Sequence, residues 1–74
     1  LAAAEKAVRD TLARAARDLS RVDAARLSPD VRALYDQSKR LTLQAEQALR
    51  DRNVVFAATL ADKAAVLATD VAGR

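Results

Sequence analysis

The apolar residues in the first third of the chain recur every three or four positions, which is the spacing of one face of an α-helix. This stripe contains Leu1, Ala4, Val8, Leu12 (or Thr11), Ala15, Leu19 and Val22. Charged residues occupy the other faces. The pattern predicts a first helix over residues 1–26.

A clear break follows at Ser28-Pro29-Asp30. A serine at the N-cap accepts a hydrogen bond from a free backbone N–H, and a proline at the first helical position has no N–H to leave unpaired. The second helix should therefore begin at Pro29. Its apolar stripe contains Val31, Leu34, Ser38, Leu41, Ala45 and Ala48, broadened by Tyr35 and Leu49.

A weaker break lies in the polar run that ends at Asn53. Asparagine either caps a new helix or ends the preceding one in the left-handed conformation. We predict helices over 29–51 and 54–72 with a turn between them. The alternative is one helix over 29–72, because one stripe continues through Leu49, Phe56, Leu60 and Leu67.

The predicted fold is all-α, an antiparallel three-helix bundle in a single domain over residues 1–74. The third helix has a wide arc of alanines, which suits contact with two neighbours, and we expect Phe56 to lie in the core. Only 19 residues other than the 19 alanines are apolar. The hydrophobic core of so small a chain rarely contributes more than about 3–5 kcal/mol to the free energy of unfolding. We therefore expect a partner, a second copy or flanking sequence to complete it. The start at Leu1 rather than Met favours a fragment of a larger protein.

The segment from Gln44 to Ala68 reads QAEQALRDRNVVFAATLADKAAVLA. It has an Ala-Leu pair, a polar run that includes Asn53, and alanines recurring at three or four. It resembles the helix-turn-helix hairpin of tetratricopeptide-like domains and is similar to short helical domains of unknown function in bacterial envelope proteins. The Trp, Gly and Tyr positions of a full repeat are absent. The resemblance implies a packing unit that serves interaction.

The composition excludes several kinds of chemistry. A chain without Cys and His forms no disulfide, no Cys/His zinc site and no thiol or imidazole catalyst. The carboxylates are dispersed, although Glu46 and Asp62 flank the second turn and could face each other. Lys63 is expected to extend from the core edge into solvent or to pair with Glu46. We therefore expect no catalytic site, no cofactor and no metal.

The net charge is +3, and ten of the 13 cationic residues are arginine. Arg14, Arg17 and Arg21 form one stripe on the first helix, and Tyr35 combines bulk with a polar tip. These four residues are the candidate partner-binding surface. A different interpretation is an internally paired, solvated arginine face, with Tyr35 packed at the boundary of the core.

These observations favour a non-catalytic protein–protein interaction or assembly module, such as a scaffold, that acts through an alanine-rich helical face on a protein partner or a second copy. The alternative is a small basic nucleic-acid-binding protein that uses the arginines of the first helix, whose affinity should fall steeply with salt. The longest nearly apolar run, 54–61, is far shorter than the roughly 20 residues of a membrane-spanning helix. Both the bacterial cell envelope and the cytoplasm stay open as compartments.

Overall fold

The computed structural model describes residues 2–74. These residues form three α-helices and no β-strand: α1 (Ala2–Ser20), α2 (Pro29–Arg50) and α3 (Val54–Ala72), with a short 3₁₀ helix (Ala24–Arg26) between α1 and α2. The predicted all-α helical bundle is confirmed. Leu1, the first residue of the predicted stripe, lies outside the described residues.

The central element is α3, which packs against both other helices, whereas α1 and α2 make few direct contacts. Val8 clusters with Ala57 near the start of α3. At the other end, Thr69 donates a hydrogen bond of 3.3 Å to the Asp18 carboxylate. Helices α1 and α3 are therefore parallel, and α2 runs antiparallel to both. The two-sided contact of α3 agrees with the wide apolar arc seen in its sequence.

The core consists of two clusters along the bundle axis. The first contains Val8, Leu12, Ala45, Ala48, Leu49, Ala57, Leu60 and Ala61. The second contains Ala15, Leu19, Ala65, Ala68 and Val71, covered by the partly buried Val22, Leu27, Val31, Leu34 and Tyr35. Many of these side chains are alanines, so the helices come close together and little apolar area is buried per residue.

The first helix ends earlier than predicted, at Ser20 rather than at residue 26. The Ser20 hydroxyl donates to the carbonyl oxygen of Arg17 at 2.7 Å, and the Asp23 carboxylate accepts from the backbone N–H of Ala25 at 3.1 Å. Serine and aspartate side chains compete in this way with helical hydrogen bonds. The chain therefore turns early, and Val22 and Leu27 fold over the second cluster.

The predicted turn between the second and third helices is confirmed, and the single helix over 29–72 is wrong. Arg52 has a positive φ of 62°. Its N–H bonds to the Leu49 carbonyl and the N–H of Asn53 to the Ala48 carbonyl, which is the Schellman arrangement. The Asn53 side chain then accepts from the N–H of Phe56 at 3.3 Å. One asparagine thus takes part in ending α2 and caps α3.

The prediction that Phe56 lies in the core is wrong. Its side chain is 52% exposed, whereas Ala57 is fully buried. Successive residues of a helix are about 100° apart around its axis, so the phase that turns Ala57 inward leaves Phe56 at the edge. The Phe56 ring stays at the rim of the bundle because α3 lies so close to its neighbours that the interface between them has room for alanine but not for phenylalanine.

Candidate interaction surface

The three arginines singled out in the sequence lie on α1 and its C-terminal end, and all are exposed. Arg21 pairs with Asp18, its Nη1 lying 3.7 Å from the carboxylate oxygen. Arg14 lines a shallow groove between α1 and α3, together with Asp62 and Val66. The stripe is thus exposed as expected, and part of it lies beside acidic side chains of the same chain.

Tyr35, the fourth predicted residue, is separate from this stripe. It lies on α2, is half-buried, and packs against the second core cluster. The cations over its ring belong to its own helix: Arg32 Cζ lies 5.7 Å and Lys39 Nζ 5.6 Å from the ring centroid. Cation–π contacts of this length contribute a modest stabilising energy at exposed sites. Tyr35 therefore packs at the core boundary rather than joining the arginines.

The carboxylates predicted to flank the second turn do not converge. Glu46 lines the groove between α1 and α2, whereas Asp62 lines the grooves on either side of α3. Lys63 is exposed beside Leu67, and no ion pair within residues 2–74 joins it to Glu46. The described residues contain no group of three carboxylates placed to hold a metal ion.

The alanines of α3 are used inside the fold. Ala58 and Ala72 are half-buried, and the other five, Ala57, Ala61, Ala64, Ala65 and Ala68, are buried. The exposed surface of α3 is therefore its opposite side, which is flanked by the exposed Ala4 and Ala7 of α1.

Large apolar side chains are exposed on that opposite side. Val55 is 82%, Val66 69% and Phe56 52% exposed. Leu43 on α2 is also exposed, but it points away from α3. The side of α2 that faces α3 is marked by Ser38, which bonds to α3, and Leu43 lies five residues, or about 140° around the helix, from Ser38. Three of the four large exposed apolar residues thus belong to α3, on the side turned away from the core.

We define the outward face of α3 as Val55, Thr59, Asp62 and Val66, with Phe56 and Lys63 at its α2 edge. The first four share one side of the helix because their spacing of four, three and four residues follows the helical repeat. A groove of about 460 Å³ adjoins the face on the α1 side and is lined by Ala4, Ala7, Thr11 and Ala58 among others. A groove of about 450 Å³ adjoins it on the α2 side, with Leu41 and Leu67 in its lining.

The outward face carries little charge. Asp62 and Lys63 are its two charged residues, and neither takes part in an ion pair within residues 2–74. By contrast, the groove between α1 and α2 contains Glu5, Arg9 and Arg52. Within the described bundle, the face therefore combines three of the four large exposed apolar side chains with only two charged residues.

Sequence reasoning did not identify this face, although its spacing is present in the sequence. The same wide arc of apolar residues that predicts contact with two neighbours also contains Val55 and Val66. The rotation of α3 about its own axis, which we call its phase, determines which of those residues remain exposed. That phase depends on the packing of all three helices.

No protein-family model matches the sequence, and no curated protein or solved structure matches it. Among residues 2–74, no helix combines the length and the apolar character needed to cross a lipid bilayer.

Proposed function

We propose that this chain is a non-catalytic interaction module that binds a protein through the outward face of α3. The observation that carries the proposal is the exposure of Val55, Phe56 and Val66 together on one helix. Contiguous exposed apolar surface on a small folded chain is typical of protein interaction sites. Single exposed apolar residues, such as Leu43, need no such explanation.

The shape of the surface supports the same proposal. The outward face is a ridge with shallow grooves on both sides, lined mainly by small or apolar residues such as Ala7, Ala58 and Leu41. A partner helix that lies along α3 buries the ridge and occupies a groove, which is a recurrent mode of helix recognition. The exposed alanines on α1 widen the surface that such a helix covers.

The likeness of residues 44–68 to tetratricopeptide-like hairpins also supports the proposal, because such hairpins are packing units that serve interaction. In this chain the hairpin corresponds to the end of α2, the turn at Arg52 and most of α3. We infer a scaffold role in which the buried side of the hairpin holds the fold together and its outward side binds.

A photoreactive amino acid placed at position 66 tests the proposal in the cells that naturally make this chain. We expect a discrete cross-linked product from position 66, because that side chain lies within the bound surface. The matched control carries the same group at position 43, which is exposed to a similar degree but lies away from α3. Absence of a product at position 66, or equal yields at both positions, would contradict the proposal.

A further inference from the structure

We propose that the partner of the outward face of α3 is an acidic amphipathic helix, whose carboxylates lie at the Val66 end of the face. This inference rests on the proposed function and names the chemistry of the partner. The structural basis is a set of cations on both sides of Val66 that no ion pair within residues 2–74 neutralises. An apolar ridge with cationic edges is complementary to a helix that has an apolar stripe and acidic edges.

Val66 lies between two cations of this kind. Arg14 lines the groove on its α1 side, and Lys63 lines the groove on its α2 side. Arg17, three residues beyond Arg14, extends the cationic α1 edge and also takes part in no ion pair within the described bundle. A helix that crosses Val66 along α3 therefore passes between positive charges on both sides.

The carboxylates that could neutralise Arg14 from its own helix are engaged elsewhere. Side chains four residues apart on a helix are close enough to pair, and Asp10 and Asp18 both lie four residues from Arg14. Asp10 instead accepts a hydrogen bond of 2.8 Å from Lys6. Asp18 pairs with Arg21, whose Nη1 lies 3.7 Å from the carboxylate oxygen. The positive charge of Arg14 is therefore left for a partner.

The α2 edge is cationic for similar reasons. No carboxylate lies three or four residues from Lys63 along α3, the spacings at which helical side chains pair. Arg40 on α2 is exposed and lies three residues from Gln37, which lines the same groove as Lys63. Asp36, four residues before Arg40, instead accepts a hydrogen bond from Arg32 Nε at 3.1 Å. Positive charge therefore remains on both sides of the ridge.

The surplus positive charge lies at one end of the face. Asp62 is the one carboxylate that lines the two grooves beside Val66. At the other end, the groove beside Val55 is lined by uncharged residues apart from Asp62. The carboxylates of the partner therefore belong at the Val66 end, whereas a basic partner would meet like charges there. A nucleic acid is disfavoured because the ridge between the cations is aliphatic, and single strands stack on aromatic side chains.

A pair of synthetic helical peptides tests the selection by charge. Both peptides are of similar length to α3 and carry one stripe of leucine and alanine, and the edges of this stripe are glutamate in one peptide and lysine in the other. Fluorescence anisotropy at about 50 mM salt should show the glutamate peptide binding about tenfold or more tightly, and screening at about 500 mM salt should reduce this difference. No binding of the glutamate peptide, or equal binding of both peptides, would overturn the acidic helix.

Two double variants test the location of the site. Arg14→Gln with Lys63→Gln removes the cations on both sides of Val66 and should weaken binding of the glutamate peptide about threefold or more. Arg9→Gln with Arg50→Gln is the matched control, because it lowers the net charge equally but in the groove between α1 and α2. Circular dichroism verifies that both variants are folded. Equal losses in the two variants would overturn the site, because they would show an effect of net charge alone.

The photo-cross-link at position 66 separates failure of this inference from failure of the proposed function. Mass spectrometry of the cross-linked product identifies the segment that lies on α3. A helical segment with an apolar stripe and glutamate or aspartate at its edges supports both proposals. A protein segment without acidic edges, or the α3 of a second copy, overturns the acidic helix and upholds the interaction role. No product, or a product with a nucleic acid, overturns both.

Discussion

The hydroxyl of Ser38 on α2 donates a hydrogen bond of 2.8 Å to the backbone carbonyl of Ala64 on α3. Both residues are fully buried. Along α2, Ser38 falls between Leu41, which packs against the first core cluster, and Leu34, which packs against the second. A serine side chain is short, so this bond requires the two helix backbones to lie close together. The contact therefore fixes both the spacing and the register of α2 against α3.

Ser38→Ala should lower the free energy of unfolding by about 1 kcal/mol, which is the net value of a typical buried hydrogen bond. The measurement is urea denaturation followed by circular dichroism at a low chain concentration. Thr11→Ala serves as the control, because the Thr11 hydroxyl bonds to a carbonyl of its own helix. Its effect should stay within about 0.5 kcal/mol, and an equal effect of both substitutions would refute the special role of Ser38.

The same close approach makes the buried alanines of α3 sensitive to enlargement. Ala64→Val should destabilise the chain by about 1–3 kcal/mol, because added methyl groups force the helices apart. Ala33→Val places the same residue on the exposed side of α2 and should cost only the difference in helix propensity, about 0.7 kcal/mol or less. Similar losses for both, measured by urea denaturation, would show that α3 tolerates wider spacing.

Features encoded by a few neighbouring residues were predictable from the sequence. The start of α2 at Pro29 follows from the Ser28 cap, and the start of α3 at Val54 follows from Asn53. The helix stripes also predicted the buried positions of α2, including Ser38. These features depend on local capping groups and on the helical repeat, which the sequence displays directly.

Features that depend on how the helices fit together were not predictable in the same way. The early end of α1 reflects side-chain bonds of Ser20 and Asp23 together with the packing of Val22. The exposure of Phe56 depends on the phase of α3, which alanine contacts to both neighbours determine. Because this phase also exposes Val55 and Val66, the proposed interaction surface could be identified only from the assembled bundle.

Arg52 has an unfavourable backbone conformation for a residue with a side chain, because its φ of 62° lies in the left-handed region. Arg52→Gly should therefore be more stable than Arg52→Ala by about 1 kcal/mol, since alanine keeps the steric cost and glycine does not. Both variants lose the ion pair of Arg52 with Glu5, whose Nη1 and Oε2 atoms lie 3.8 Å apart. The difference in stability between the two variants therefore reports the cost of the left-handed backbone conformation alone. Thermal and urea unfolding measure it, and equal stability of the two variants would contradict the assignment of Arg52 as the left-handed end of α2.

Phe56 and Leu60 are four residues apart on α3, yet their exposed fractions are 52% and 5%. Leu60→Ala should cost about 2–5 kcal/mol, because it leaves a cavity in the first core cluster. Phe56→Ala should cost only about 1 kcal/mol, since roughly half of the ring is already in water and its removal opens no cavity. Urea denaturation at low concentration measures both losses. A loss from Phe56→Ala as large as that from Leu60→Ala would show that the ring is part of the core after all.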